Sequence, residues 1–291
     1  MTAAPSVEPL TPAIGAEIVD IDLAEAGRNA DLFGWVHEQL MHHKLLVFRD
    51  QALAPAEHVA FAERFGPLEG HPIQPSHPDH PTLLLIHRQA ERSTYENVWH
   101  TDATFRAEPP MGAVLKCDEC PPVGGDTMWA NMALAYDRLP DRVKERIGEL
   151  RAQHSIEHSF GGAMTPEKRA ALVAENPPAE HPVVRTHPET GESVLFVNQG
   201  FTTHFVNFQR YDRIRVGLDF TMEANNLMNY LLSQASIPEY QVRIRWRPGT
   251  VAVWDNRATQ HYAVHDYWPS PRKMARATII GDRPTSADAF S

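Results

Sequence analysis

A chain of 291 residues with 42% hydrophobic content and 22% charged residues is long enough for one large domain or two small ones, with a sizeable core. Its formal charge of −10 at pH 7 argues against a general nucleic-acid or anionic-membrane surface, while leaving room for a local basic pocket. No apolar run approaches the roughly 18 residues of a membrane span, and the N-terminus carries neither a basic n-region nor an apolar h-region, so the expectation is a cytoplasmic protein with no nucleic-acid or membrane partner.

Residues 1 to about 10 are rich in Pro and Ala and are expected to fray. Ile14 to Leu23 then alternates apolar and acidic positions like a half-buried strand. Leu32, Trp35, Val36, Leu40 and Met41 recur at helical intervals, and His42-His43-Lys44 suits a solvated helix C-terminus. Leu45 to Phe48 reads as a buried strand, and Ala54 to Phe65 as a short helix ended by Gly66-Pro67. Thr82 to Ile86, Met111 to Lys116 and Thr127 to Ala130 are further strands, the last two separated by Pro121-Pro122-Val123-Gly124-Gly125. Cys117 and Cys120 have CxxC spacing, but without a second pair of ligands they read as two reduced thiols near a strand end.

The polar stretch Ser155 to Pro182 carries Gly161-Gly162 and Pro177-Pro178 and at most one short helix, around Glu167 to Ala174, which makes it a candidate active-site lid. Pro182 to Arg185 and Ser193 to Asn198 flank a turn signature and are expected to form one hairpin. Gln241 to Trp246 and Thr250 to Trp254, around Pro248-Gly249, are expected to form a second. Tyr211 to Leu232 is helical, and Lys273 to Ile280 is a late strand. With no internal repeat and no linker, residues 1–291 read as a single domain. Many short strands with helices outside them favour a mainly β fold with flanking helices, a double-sheet jelly roll, over a doubly wound sheet.

In Trp99-His100-Thr101-Asp102 an imidazole and a carboxylate stand two residues apart, which on an extended backbone puts both side chains on one face. Imidazole with carboxylate is two-thirds of the facial set that suits iron(II). A hydrogen-bonded pair at a strand end is the other reading, since 16 histidines and 37 acids produce accidental matches such as His77-Pro78-Asp79. A third ligand belongs at the end of a facing strand. His261 answers this: the apolar run Thr250 to Trp254 is a core strand, and the loop Asp255 to Gln260 would carry the histidine to the rim, although an ordinary loop histidine fits the same place.

Four separated blocks then carry a resemblance over Ile14 to Pro284. They are Trp99 to Phe105, Gly124-Gly125-Asp126-Thr127, His181 to Pro188, and Trp254 to His261. Together they resemble the taurine dioxygenase family of iron(II) and 2-oxoglutarate-dependent oxygenases. The resemblance implies a double-stranded β-helix core with His100, Asp102 and His261 as the metal triad, and turnover in which dioxygen decarboxylates 2-oxoglutarate to succinate and CO2 while the substrate is hydroxylated. Where the hydroxylated carbon bears sulfur or oxygen, the product collapses to a carbonyl compound and releases the leaving group.

Arg272, 11 residues after His261, resembles the family's arginine for the distal carboxylate of 2-oxoglutarate, and Thr127 the hydroxyl that assists it. Arg276, an even offset further along the strand, should share its face and resembles the arginine that holds the taurine sulfonate. Buried beside the metal without a counter-ion, it would call for an anionic substrate. His71, Phe160 and Phe201 match further substrate-contact positions. Gln74 stands where the taurine enzymes have a tyrosine, and Glu96, or Asn97 if the loop shifts by one, where they have an asparagine. These departures leave a sulfonate such as taurine or an analogue, an alkyl sulfate or a carboxylic acid open as the small organic anion. His265 could face the pocket or be an ordinary loop histidine. A non-catalytic, cupin-like metal-binding or structural module is the competing reading; it would not need Arg272 with Thr127. Self-association is left open.

Overall fold

The computed structural model describes residues 4–70, 75–88, 97–208 and 222–286. The substrate positions expected at His71, Gln74 and Glu96, and the first part of the Tyr211 to Leu232 helix, lie outside them.

The N-terminal third combines an edge of sheet with three helices. Strand β1 (Ser6–Pro9) pairs antiparallel with β2 (Ala16–Val19), so part of the stretch expected to fray is ordered by main-chain pairing. Helix α1 (Leu23–Arg28) starts at Asp22, whose carboxylate accepts from Ala24 N. Helix α2 (Ala30–His43) is capped by Asn29 and stops at Lys44, which adopts the left-handed conformation at φ 64° and turns the chain into β3 (Leu45–Phe48). Helix α3 (Pro55–Glu63) begins with proline, where a missing N–H costs nothing. Short β4 (Leu68–Glu69) and β5 (Ser76–His77) precede the long β6 (His80–Arg88).

The remainder supplies the rest of the barrel: β7 (Gly112–Glu119), β8 (Thr127–Asn131), α4 (Met132–Asp137), α5 (Asp141–Ile147), β9 (Arg151–His154), α6 (Ile156–Phe160), α7 (Pro166–Glu175), β10 (Ala179–Pro182), β11 (Val184–Thr186), β12 (Ser193–Leu195) and β13 (Thr202–Phe205). It closes with α8 (Met222–Ser233), β14 (Gln241–Ile244), β15 (Val251–Asp255), β16 (Thr259–Ala263) and β17 (Arg272–Ile279).

The large sheet has the order β1-β2-β3-β15-β7-β17-β6-β5, with β4 added on β17. Smaller sheets β14-β8-β16, β10-β9-β13 and β11-β12 complete the jelly roll. Period-two alternation sends each central strand's residues into two different cores. Leu46, Phe48, Val114, Val251, Val253, Ala275 and Ala277 pack with Leu23, Val36, Leu40 and Phe61 of the helical layer. Leu45, Val47, Leu115, Cys117, Ala252, Trp254 and Met274 pack inward with Trp129, Val242 and Ile244 of the facing sheet. A strand buried on both faces reads as a continuous apolar run, which is why β3 and β15 are legible. Cys117 is buried at the end of β7 and Cys120 is half-buried, both as free thiols.

Three expectations are corrected. The turn at Pro248-Gly249 does not close a hairpin: β14 pairs with β8, whereas β15 pairs with β3 and β7, so the turn crosses from one sheet to the other. His261 does not sit beyond a six-residue loop but within β16, opposite Trp129. The stretch 155–182 is more structured than one short helix, because α6 precedes α7 and β10 is tied to β9. The hairpin expected around Pro188 to Gly191 is present as β11 and β12. Among the described residues, no helix is long and apolar enough to cross a membrane.

Candidate metal centre

His100 and Asp102 are not in a strand together. His100 makes an isolated antiparallel bridge to His261, exchanging main-chain hydrogen bonds of 3.0 and 2.8 Å with it, and the chain then turns. Ala103 takes up the turn at φ 47°, a left-handed conformation that a side chain with a Cβ adopts at a cost. His100, Asp102 and His261 converge nonetheless, with one donor atom from each lying within 4.8 Å of the others. Asp102 Oδ1 is 3.7 Å from His100 Nε2, and Oδ2 is 3.7 Å from His261 Nε2. Among the described residues this is the group of three arranged to hold a metal ion.

The surroundings prepare these groups as ligands. His100 Nδ1 lies 2.8 Å from the Val98 carbonyl, so it carries the proton and leaves the Nε2 lone pair free. Burial, with the neighbouring His100, pushes the His261 imidazole down to about 3, against the pull of Asp102, so it is neutral and able to ligate. Burial alone would raise Asp102. Arg276 opposes it, followed by His261 and His100, and the carboxyl ends well below the usual carboxylate range. Two imidazoles and a carboxylate are the donor set that suits iron(II) with positions left over for other ligands.

Asn256 holds the aspartate's backbone. Its Oδ1 accepts from Asp102 N at 2.9 Å, and its Nδ2 donates to Asp102 O at 3.2 Å and Pro110 O at 3.0 Å. Asn256 is itself fixed by the tight link between β15 and β16. There Asp255, 1% exposed, accepts from Arg257 N and Nε at 2.9 Å each, from an Arg257 terminal nitrogen at 2.7 Å, and pairs with His187 Nε2 at 2.9 Å. Thr101 Oγ1 donates to Thr259 O at 2.8 Å, pinning the residue between the two ligands. Behind them, Thr104 Oγ1 lies 2.9 Å from His154 Nδ1 and accepts from Asn198 Nδ2 at 3.0 Å, while Asn198 Oδ1 accepts from Phe201 N at 2.9 Å. At Gly200 an added Cβ would lie 2.8 Å from His100 Cβ, so only glycine lets that loop approach the site.

Both expected arginines lie on the inward face of β17 with Met274. Arg272 is buried over the Trp246 ring at 5.7 Å, and its Nη2 donates to Thr127 Oγ1 at 3.3 Å. Trp246 Nε1 donates to the same hydroxyl at 2.9 Å. Arg272 Nε is buried with no hydrogen-bond partner, a donor that a ligand carboxylate would satisfy. Arg276 stacks on Trp254 at 5.3 Å and is not without a counter-ion, which corrects that expectation. It grips Asp102 with two contacts of 2.7 and 3.3 Å, because the turn after His100 delivers the carboxylate to the inner face of β17. Its Nε remains buried and unpartnered.

Phe201 is 6.4 Å from the His100 ring and 5.2 Å from Phe105; Phe160 is 6.5 Å from Phe201. With Ile156 of α6, Leu172 of α7 and Met164 between the helices, they make an apolar wall. Hydrogen bonds from Ser155 N to Phe201 O and from the Ser159 hydroxyl to Gly200 O fasten α6 to the loop over His100. Asn97 is exposed, while His265 is half-buried.

Sequence reasoning singled out neither Asn256, Asp255 and Arg257 nor the Thr104, His154 and Asn198 group. The signal available was membership of Asp255, Asn256, Arg257 and Thr104 in the blocks that carry the resemblance.

Residues 6–278 match the family described as taurine catabolism dioxygenase TauD, TfdA family. The chain is similar to an alkylsulfatase of Acinetobacter baylyi, 36% identical over 286 residues that take in 96% of this chain and 86% of the relative. It is similar to an alpha-ketoglutarate-dependent sulfate ester dioxygenase of Pseudomonas putida, 34% identical with 97% and 91% covered. Among solved structures, a taurine dioxygenase from Burkholderia xenovorans superposes with a TM-score of 0.80 at 34% identity, over 98% of this chain and 92% of that one.

Proposed function

The chain belongs to the TauD, TfdA family and is an Fe(II)- and 2-oxoglutarate-dependent dioxygenase acting on a small organic anion, and from this premise we propose that the anion is an alkyl sulfate ester. The observation that carries the reading is Arg276 on the metal-proximal face of β17, four residues from Arg272, its Nε buried and unpartnered while both terminal nitrogens hold Asp102, with an apolar wall of phenylalanines over His100. A fixed guanidinium suits a tetrahedral oxyanion, and the wall suits an alkyl tail. Resemblance to an alkylsulfatase and a sulfate ester dioxygenase supports the same class. The non-catalytic reading is disfavoured, since Arg272 is poised with Thr127.

In this proposal His100, Asp102 and His261 hold the iron, and Arg272 with Thr127 receives the distal carboxylate of 2-oxoglutarate. Iron with 2-oxoglutarate and dioxygen supplies the oxidant that hydroxylates a C–H bond. Arg276 orients the sulfate head, with the positions His71, Gln74, Glu96 and Asn97 as further candidates for substrate contact. Phe160 and Phe201 lie along the tail and exclude water. With α6 and α7 as a movable cover, 155–182 acts as the lid of a single domain. Hydroxylation at the carbon bearing the ester oxygen gives a hemiacetal sulfate, which collapses to an aldehyde and inorganic sulfate. We place this action in the cytoplasm, and a mass measurement in solution reads whether the chain self-associates.

The test is to supply iron-loaded protein with 2-oxoglutarate, oxygen and, in parallel, hexyl sulfate, taurine, hexanesulfonate and a phenoxyacetate, measuring succinate, sulfate and aldehyde. Equimolar succinate, sulfate and aldehyde from the alkyl sulfate at the highest rate is expected. Faster turnover of taurine or the phenoxyacetate would overturn the substrate class.

A further inference from the structure

Besides Arg272 and Thr127, the segment that follows β16 carries a further buried donor without a partner. Along β16, residues directly opposite β8 partners share a face: His261 stands across from Trp129, and Ala263 from Thr127. The face that presents His261 to the metal therefore also presents Ala263 beside the hydroxyl that Arg272 reaches. Pairing continues past the strand, because Val264 N donates to Asp126 O at 2.9 Å. Strand alternation continued beyond Ala263 would next bring His265 to the inward face.

His265 Nδ1 is buried and has no hydrogen-bond partner, although imidazole N–H groups removed from water ordinarily find one. Its ring packs edge-on against Tyr267 at 5.2 Å, which limits where Nδ1 can turn. The adjoining turn is closed by Asp266, whose Oδ1 accepts from Gly125 N at 2.8 Å, so the backbone of this segment is tied to the end of β8. A buried, unpartnered Nδ1 on His265, two residues beyond the position opposite Thr127, and the unpartnered Nε of Arg272, whose Nη2 reaches Thr127, are thus carried by elements that meet at this threonine.

We propose that His265 is a further binding residue for the co-substrate, donating from Nδ1 to the distal carboxylate of 2-oxoglutarate next to Arg272 and Thr127. The inference rests on the placement of 2-oxoglutarate proposed above. It assigns His265 a role in discriminating 2-oxoglutarate from 2-oxoacids that lack the second carboxylate.

The experiment measures binding of 2-oxoglutarate and of pyruvate to protein loaded with manganese(II), without turnover, by calorimetry. A hydrogen bond to a charged group predicts that His265→Ala weakens 2-oxoglutarate about tenfold. Pyruvate, which has no distal carboxylate, should bind as it does to the parent, and manganese affinity should stay unchanged. His265→Asn, which retains an N–H donor, should recover part of the loss. Equal weakening of both oxoacids, or no change in either, would overturn the assignment. Arg272→Ala separates the two levels. If it weakens 2-oxoglutarate selectively while His265→Ala does nothing, only the role of His265 fails; if neither variant matters, the placement of the co-substrate fails.

Discussion

Replacing Asn256 with alanine should damage both the fold and the metal centre, by amounts that follow from its hydrogen bonds. The side chain is 1% exposed and joins the main chain at Asp102, through both N–H and C=O, to Pro110 O. In Asn256→Ala those groups stay buried while their partner disappears. Each buried group left unsatisfied costs about 1–3 kcal/mol, and neighbours in one network do not add fully, so the loss should be about 3 kcal/mol. For a chain of 291 residues that is roughly 5 °C in Tm. Asp102 would also lose the clamp that sets its orientation, and loss of such support typically weakens metal binding by roughly 10–100-fold. Urea unfolding of the metal-free protein separates the first effect, and titration with manganese(II) reads the second. Parent-like stability and parent-like metal affinity in Asn256→Ala would refute the clamp.

Arg276→Ala should raise the KM for an anionic substrate about tenfold or more when the protein is kept saturated with metal, a condition set because Arg276 also holds Asp102; an unchanged KM would remove Arg276 from the substrate site. Burial holds His58 down to about 4 from its ordinary value of 6.5, its Nε2 lying 3.0 Å from Val114 O. A folded pKa below the unfolded one means stability present above pH 6.5 and lost progressively as the pH falls toward 4, with a total near 3 kcal/mol. Urea midpoints measured across that window should decline more steeply in the parent than in His58→Gln, and identical slopes would contradict this. If α6 and α7 form the lid, hydrogen exchange over Ile156 to Glu175 should slow when substrate joins the metal and 2-oxoglutarate, and equal exchange rates would argue for a fixed wall. Gly200→Ala should lower metal affinity, since its Cβ would press on His100 at 2.8 Å, and a parent-like titration would show that the loop yields.

Local spacing and periodicity made parts of the fold and site readable without coordinates. Leu45 to Phe48 and Val251 to Trp254 are apolar throughout because both faces of those strands are buried, one toward helices and one toward the facing sheet. The even offset from Arg272 to Arg276 put both guanidiniums on one face, which the inward-packed Met274 between them bears out. The spacing of His100 and Asp102 singled out a pair whose side chains do converge with His261, although a turn and not a strand brings them together. Periodicity reports the face that a residue occupies, and it is silent on which strand lies alongside. Hence Gln241 to Ile244 and Val251 to Asp255 resembled a hairpin, yet each found its partners in a different sheet. The same limit hid the partners that tune the metal centre: Arg276 reaches Asp102 across 174 residues, and Asn256 reaches it across 154. Contacts over such separations depend on the order in which strands assemble, and no local pattern encodes that order. The sequence by itself determined the side chains available for metal and anion chemistry and the faces they occupy; tertiary structure alone decided that Arg276 would neutralise Asp102, that Asn256 would clamp it, and that His261 would stand in a strand, because those pairings arise only when the sheets close around one another.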